Sequence, residues 1–223
     1  MDRVASGDFW GMLDQAQRDV VRARARVRRF RAGTVLMTEG DQARSVLVIV
    51  SGLAKVISSG PGGHEAVLNV CGPGDIVGEI AAVDGGPRSG AVIAVDAVTA
   101  WWLSAGQFAE IIRDHPDIAT AVSRVITGRL RAADLRRRQF ADSTTGARIA
   151  DLLADLADRY GVSTSDGVVV SLRISQQDIA AMVAASREAA ARTLRVLREA
   201  GIISTARRRF TIHRPDDLRS FSG

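Results

Sequence analysis

One cysteine, Cys71, stands in a chain of 223 residues, so no intramolecular disulfide or cysteine-ligated cluster is available. It reads as a small buried residue beside a turn rather than a redox switch. The three histidines, His64, His115 and His213, fall at no metal-ligand spacing, and no metal site is expected. No apolar run approaches the ~20 residues that span a bilayer, so no membrane association is expected. The opening residues, Met1 to Asp8, lack the apolar core of a signal peptide, and a cytoplasmic location is expected. Walker A and Gly-x-Ser-x-Gly motifs and a metal triad are all missing, which argues against an enzyme. Glu79 and Arg88 could pass for an acid–base pair, but no nucleophile accompanies them. Neither internal repeats nor low-complexity tracts occur.

What remains is an ordinary globular composition, 46% hydrophobic and 25% charged, in a length that allows one large or two modest domains. The net charge of +5 is unevenly spread. Between Gly33 and Gly90, three cations (Arg44, Lys55, Arg88) face six carboxylates, a local balance of −3. Between Ser171 and Arg214, nine arginines face Asp178, Glu188 and Glu199, a balance of +6. Lys55 is the only lysine, so arginine is the default cation here, but that preference does not account for the asymmetry. A basic C-terminal part beside an acidic middle fits nucleic acid bound at one end.

Residues 8–27 read as one or two short helices with Phe9, Trp10, Leu13, Val20 and Val21 as the apolar face. From Val27 to about Leu103 the pattern changes to short β-branched runs at 35–37, 46–50, 55–57, 66–70, 91–95 and 98–102, punctuated by glycine turns such as 60–63. That rhythm predicts a β-barrel or roll. Ser104 opens a short helix that His115-Pro116 breaks, and Pro116 suits the first turn of a long helix to about Phe140. Its narrow stripe of Ile118, Val122, Val125 and Ile126 could lie across its own barrel; a seam with a second copy is the favoured expectation. Residues 141–147 read as a hinge, Arg148–Tyr160 as an amphipathic helix, Gly161–Gly167 as a turn and 168–170 as a strand.

Two stretches carry chemistry. Residues 78–89, Gly-Glu-Ile-Ala-Ala-Val-Asp-Gly-Gly-Pro-Arg-Ser, place a glycine and a carboxylate on a tight turn and an arginine and hydroxyl nine residues later. Backbone N–H groups and Arg88 can neutralise one phosphate, and Glu79 can accept from a ribose hydroxyl, which describes a pocket for a small nucleotide. Further on, Ser175 and Asp178 form a capping box for a helix that ends near Val183, with Ala184-Ala185 as a tight turn. Ser186 caps a second helix, Arg187–Glu199, closed by Gly201. A hairpin with Arg207, Arg208 and Arg209 at its tip completes a winged helix-turn-helix. Arg187, Glu188 and Arg192 sit at the start of that second helix, where arginine reads guanine and glutamate reads cytosine. A solvated Arg–Glu face is the competing reading, and the surrounding motif favours DNA.

From about Asp8 to Arg214 the chain resembles the CRP/FNR family of bacterial transcription regulators. Gly78-Glu79-Ile80-Ala81 with Arg88-Ser89 is similar to that family's phosphate-binding cassette, and Ser186-Arg187-Glu188 with Arg192 to its recognition-helix signature. The resemblance implies an α+β fold with an N-terminal cyclic-nucleotide-binding, jelly-roll-like β-roll. A long dimerisation helix and a C-terminal winged helix-turn-helix follow. The implied bounds are 1–115 for the roll with its N-terminal helices, 116–141 for the long helix and hinge, and 142–223 for the DNA-binding domain. It implies a homodimer that binds double-stranded DNA at a palindromic TGTGA-like site, has RNA polymerase as partner, and carries no cofactor but takes cyclic AMP as allosteric ligand. Glu79 is then placed at the ribose 2′-hydroxyl, Arg88, Ser89 and Arg129 at the phosphate, and Gln176, Gln177 and Ser186 near the DNA backbone. Two recognition helices would lie about 34 Å apart. Where the family has a Thr-Ser pair for adenine, this chain has Ala133-Asp134, leaving Asp134 as the candidate base contact. Gly90 replaces a common alanine and Ala189 a common threonine. Two alternatives stand beside this reading: a DNA-binding regulator whose pocket is silent or takes another effector, and a cyclic-nucleotide module controlling an enzyme.

Overall fold

The computed structural model describes residues 8–59, 65–172, 174–206 and 209–222, without the side chains of 65 and 138–142. It contains two compact units, 1–133 and 134–223.

The first unit is built from eight strands in two antiparallel sheets. β1 (Arg26–Phe30), β3 (Ser45–Ser51), β6 (Ile76–Val77) and β8 (Val98–Ser104) form one sheet in the order β1-β8-β3-β6. β2 (Val35–Met37), β4 (Ala54–Ser59), β5 (Glu65–Cys71) and β7 (Ala91–Ala94) form the other in the order β2-β7-β4-β5. Because side chains alternate along a strand, β3 serves two cores. Leu47 and Ile49 pack between the sheets with Met37, Ala54, Cys71, Val92 and Ala100. Val46 and Val48 face the other way, against Phe9, Leu13 and Val21 and the helices that follow β8. This double burial explains why 46–50 is an unbroken apolar run.

Three helices cover that second face. α1 (Gln15–Arg24) opens on an Asp14–Gln17 capping box, and α3 (Ala105–Asp114) on a Ser104–Gln107 box. α4 (Pro116–Asp142) has 27 residues, about 40 Å of helix. Its apolar stripe is spent inside the unit: Ile118, Ala121, Val122 and Val125 are each no more than 3% exposed, and Ile126 is half-buried against the same core. The expectation that this stripe is a seam between copies is therefore corrected. What α4 leaves outside is Leu130, 60% exposed, and Leu135, 43% exposed.

The second unit opens with α5 (Thr145–Tyr160), capped by the Thr144 hydroxyl. Only Ser143 and Thr144 separate it from α4, so the hinge expected over 141–147 is much shorter. Its Ser/Thr/Gly composition reads as a loop because the same residues supply helix caps. Gly161–Thr164, expected as part of a turn, is strand β9, an exposed edge with no buried alternation to betray it. It pairs with β10 (Gly167–Val170), and β11 (Ile203–Ala206) and β12 (Arg209–Ile212) complete a sheet in the order β11-β12-β10-β9. α6 (Gln176–Met182), α7 (Arg187–Glu199) and the short α8 (Pro215–Arg219) pack beside it. β1 is another strand invisible beforehand: Arg-Val-Arg-Arg-Phe is exposed along nearly its whole length and is held by backbone pairing to β8.

Candidate functional site

In the first unit, β6 runs into Gly78 at φ +82°, a left-handed turn that aims the next residue inward. A side chain at Gly78 would bring its Cβ to 2.6 Å from both Arg88 Nη1 and Met37 Cε, so glycine is required twice over. The segment expected as a tight turn continues as a six-residue helix, α2 (Glu79–Asp84). Its first residue, Glu79, is 1% exposed, and Arg88 is 6% exposed. Arg88 donates Nη1 to Gly78 O at 2.7 Å and Nη2 to Ser45 O at 2.5 Å. Backbone bonds from Gly40 N to Arg88 O and from Arg88 N to Asp41 O fix the strand that carries it.

Arg129 reaches this place from α4. Its Nη1 lies 2.5 Å from Glu79 Oε1, and its Nη2 donates to Ile76 O at 2.6 Å. Burial opposes its charge, but Glu79, with Cys71 and Asp75 beyond, overcomes that and raises its pKa. Its buried Nε has no partner. Arg88 behaves differently. Burial lowers its pKa, with Glu79 and Asp41 opposing. Among the described residues no carboxylate lies within ion-pair distance of it; carbonyl oxygens alone receive its charge.

These groups line one cleft of about 380 Å³ including its open mouth, with Met37, Val56, Val92 and the exposed Ser89. Gly78, Ile80 and Ala81 also line it. Glu79 and Arg129 cancel each other, which leaves Arg88 as one uncompensated cation. Such a cleft suits a ligand with a single negative charge. Asp134 is exposed, belongs to the second unit, and does not line the cleft.

In the second unit, Ser175 and Asp178 form the expected capping box for α6. Ala184 takes φ +48° in the turn, and Ser186 accepts from Ala189 N at 3.1 Å to start α7. Ala190, Leu194 and Leu197 anchor α7 in the core. That leaves Ser186, Arg187, Glu188 and Arg192 exposed, as are Gln176 and Gln177 at the start of α6. Glu188's own backbone N–H, then the Ser186 hydroxyl, hold its carboxyl below the usual range, so it stays an acceptor. Arg207 and Arg208, expected at the wing tip, lie outside the described residues; Arg209 is exposed at the start of β12.

Residues 27–115 match the cyclic nucleotide-binding domain family, and residues 147–221 the Crp-like helix-turn-helix domain family. A CRP-like cAMP-activated global transcriptional regulator of Mycobacterium tuberculosis is 30% identical over 159 residues, 71% of each chain. This chain belongs to the CRP/FNR family of transcription regulators. Two solved structures show the same fold. FixK2 from Bradyrhizobium japonicum superposes with a TM-score of 0.79 at 19% identity, covering 89% of this chain and 98% of that one. The c-di-GMP-responsive regulator CLP from Xanthomonas campestris gives 0.75 at 24% identity, covering 90% and 99%.

For a CRP/FNR member, the cassette residues Glu79, Arg88 and Ser89 meet at one cleft with Arg129. Sequence reasoning missed the carbonyls of Ser45, Gly78 and Ile76 that hold the two arginines, because a backbone acceptor has no residue-type signal. It also missed Arg148, whose Nε donates to Val183 O at 3.2 Å and whose Nη1 donates to Ser143 O at 2.7 Å. That guanidinium ties the end of α6 to the start of α5. Among the described residues no helix is long and apolar enough to cross a membrane.

Proposed function

We propose that this chain is a homodimeric DNA-binding transcription regulator controlled by cyclic AMP bound in the first unit's cleft. The observation that carries the ligand is Arg88, buried with its charge met only by carbonyl oxygens. A cyclic phosphodiester brings one negative charge to that guanidinium, with Ser89 as a further donor. Glu79 accepts from the ribose 2′-hydroxyl while Arg129 fixes its orientation. The cAMP-activated relative in Mycobacterium tuberculosis supports the choice of ligand. Cyclic di-GMP, the effector named for the Xanthomonas campestris neighbour, carries two phosphodiesters, and this cleft has one uncompensated cation for them.

Arg187, Glu188 and Arg192 read the major groove of a palindromic TGTGA-like site, and Gln176, Gln177 and Ser186 contact its phosphates. The exposed leucines of α4, Leu130 and Leu135, support pairing of two copies along that helix. RNA polymerase is the partner on which the bound dimer acts. Nucleotide controls DNA binding only through its preference for the DNA-competent conformation.

The test is calorimetric titration with cyclic AMP of the parent chain, Arg88→Leu and Ser89→Ala. The parent binds one nucleotide per chain and Arg88→Leu binds none. Ser89→Ala, which alters an exposed side chain, weakens binding about tenfold or more, the value of one charge-assisted hydrogen bond. Unchanged affinity in both variants refutes the assignment.

A further inference from the structure

We propose that the cleft selects its ligand by the cyclic phosphate and ribose, and that it accepts adenine and guanine cyclic nucleotides nearly alike. The inference rests on the cyclic-nucleotide reading above and adds what that reading leaves open, the identity of the base.

The argument is a census of the lining. Its polar side chains are Glu79, Arg88, Ser89 and Arg129, and the rest are Met37, Val56, Val77, Ile80, Ala81 and Val92 with two glycines. The polar four are grouped and largely engaged. Glu79 Oε1 is held by Arg129 Nη1, Arg129 Nη2 by Ile76 O, and both terminal nitrogens of Arg88 by Gly78 O and Ser45 O. The spare capacity is Arg88 Nε, Arg129 Nε, Glu79 Oε2 and the Ser89 hydroxyl. That set matches one anionic phosphate and one sugar hydroxyl, and the proposed ligand consumes it. The remaining surface consists of methyls, methylenes and a thioether. On α4, the residues one turn beyond Arg129 on the same face are Ala132 and Ala133, which carry methyl groups only.

Adenine and guanine differ at their edges: an amino group against a carbonyl at C6, and an added amino group at C2. A site tells them apart by holding a donor or acceptor against those atoms, and a site so built discriminates by about 10⁴-fold or more. An apolar surface offers both purines similar contact, and the open mouth of the cleft leaves room for the extra amino group. Discrimination therefore falls to within about tenfold, the low end of what apolar pockets achieve. One carboxylate further along α4, Asp134, is the natural challenger, since it could accept from the adenine amino group.

Calorimetric titration of the full chain with cyclic AMP and, separately, cyclic GMP decides the matter, with Asp134→Ala titrated in parallel. The expected result is two dissociation constants within about tenfold of each other, a ratio that Asp134→Ala leaves unchanged. Arg88→Leu or Ser89→Ala should weaken both ligands by the same factor. A preference above about a hundredfold for one base overturns the inference while leaving the cyclic-nucleotide reading intact. If Asp134→Ala then erases that preference, Asp134 is the base reader. Binding of neither nucleotide defeats the cyclic-nucleotide reading and this inference with it.

Discussion

Replacing Arg129 with methionine removes the cation from a carboxylate that has almost no access to water. Glu79 is 1% exposed, and Arg129 Nη1 lies 2.5 Å from it. Breaking a buried pair by deleting one partner costs about 3–5 kcal/mol, because the surviving charge is left uncompensated. The Arg129 side chain is 18% exposed, and that partial screening places the expected cost near the lower figure, about 3 kcal/mol. For a unit of 133 residues this lowers the melting temperature by roughly 10 °C or somewhat more. The assay is tryptophan fluorescence during thermal or urea unfolding without ligand. Trp10, Trp101 and Trp102 are the chain's three tryptophans, and all belong to the first unit, so the signal reports on that unit alone. Glu79→Gln/Arg129→Met removes both charges and recovers about 2 kcal/mol of the loss. An Arg129→Met variant within 1 kcal/mol of the parent, or strictly additive single changes, refutes the claim that the pair is one buried unit.

Other outcomes follow from the same geometry. Gly78→Ala forces an L side chain into φ +82° and against Arg88, so it should cost about 1–2 kcal/mol from the backbone alone and more than tenfold in nucleotide affinity. Gly85→Ala, at φ +72° with open space around it, should show the backbone cost without the binding loss, as paired titrations would reveal. Arg187→Ala should lose about 1–3 kcal/mol on a specific duplex and relax preference at one guanine; an equal loss on random DNA means that Arg187 touches phosphate only. Leu130→Asp should shift the chain toward monomer in sedimentation velocity, whereas an unchanged dimer places the seam elsewhere. Glu39 accepts from Ser58 Oγ at 2.6 Å and Ser59 N at 2.9 Å, and these bonds, Ser58 first, lower its pKa. Its contribution to stability is present above the unfolded carboxylate value of about 4.3 and is lost as pH falls through the lower folded value. Ser58→Ala should therefore flatten the acid limb of the stability–pH curve.

Much of this was readable in the residues, for specific reasons. The roll announced itself through β-branched runs between glycines, and the DNA-reading helices through their caps, Ser175 with Asp178 and then Ser186. Those signals are local, and local chemistry decides them. What escaped was non-local or lacked contrast. β1 is an arginine-rich edge whose only hold is pairing with β8, so no apolar alternation marks it. The stripe Ile118–Val125 looked narrow enough for a second copy, but one face of the first sheet needed covering, and the stripe covers it. The residues expected as a hinge doubled as helix caps. Within the cleft, Glu79 and Arg88 were legible as chemistry, but their burial and the carbonyl clasp on Arg88 depend on Ser45, far away along the chain.

The most direct test of a nucleotide-gated regulator is fluorescence anisotropy of a palindromic TGTGA-containing duplex titrated with this chain, with and without saturating cyclic AMP. Affinity for that duplex should rise at least tenfold with the nucleotide and stay unchanged on a scrambled duplex. Identical curves with and without cyclic AMP would contradict ligand control, and equal affinity for the two duplexes would contradict sequence reading by α7.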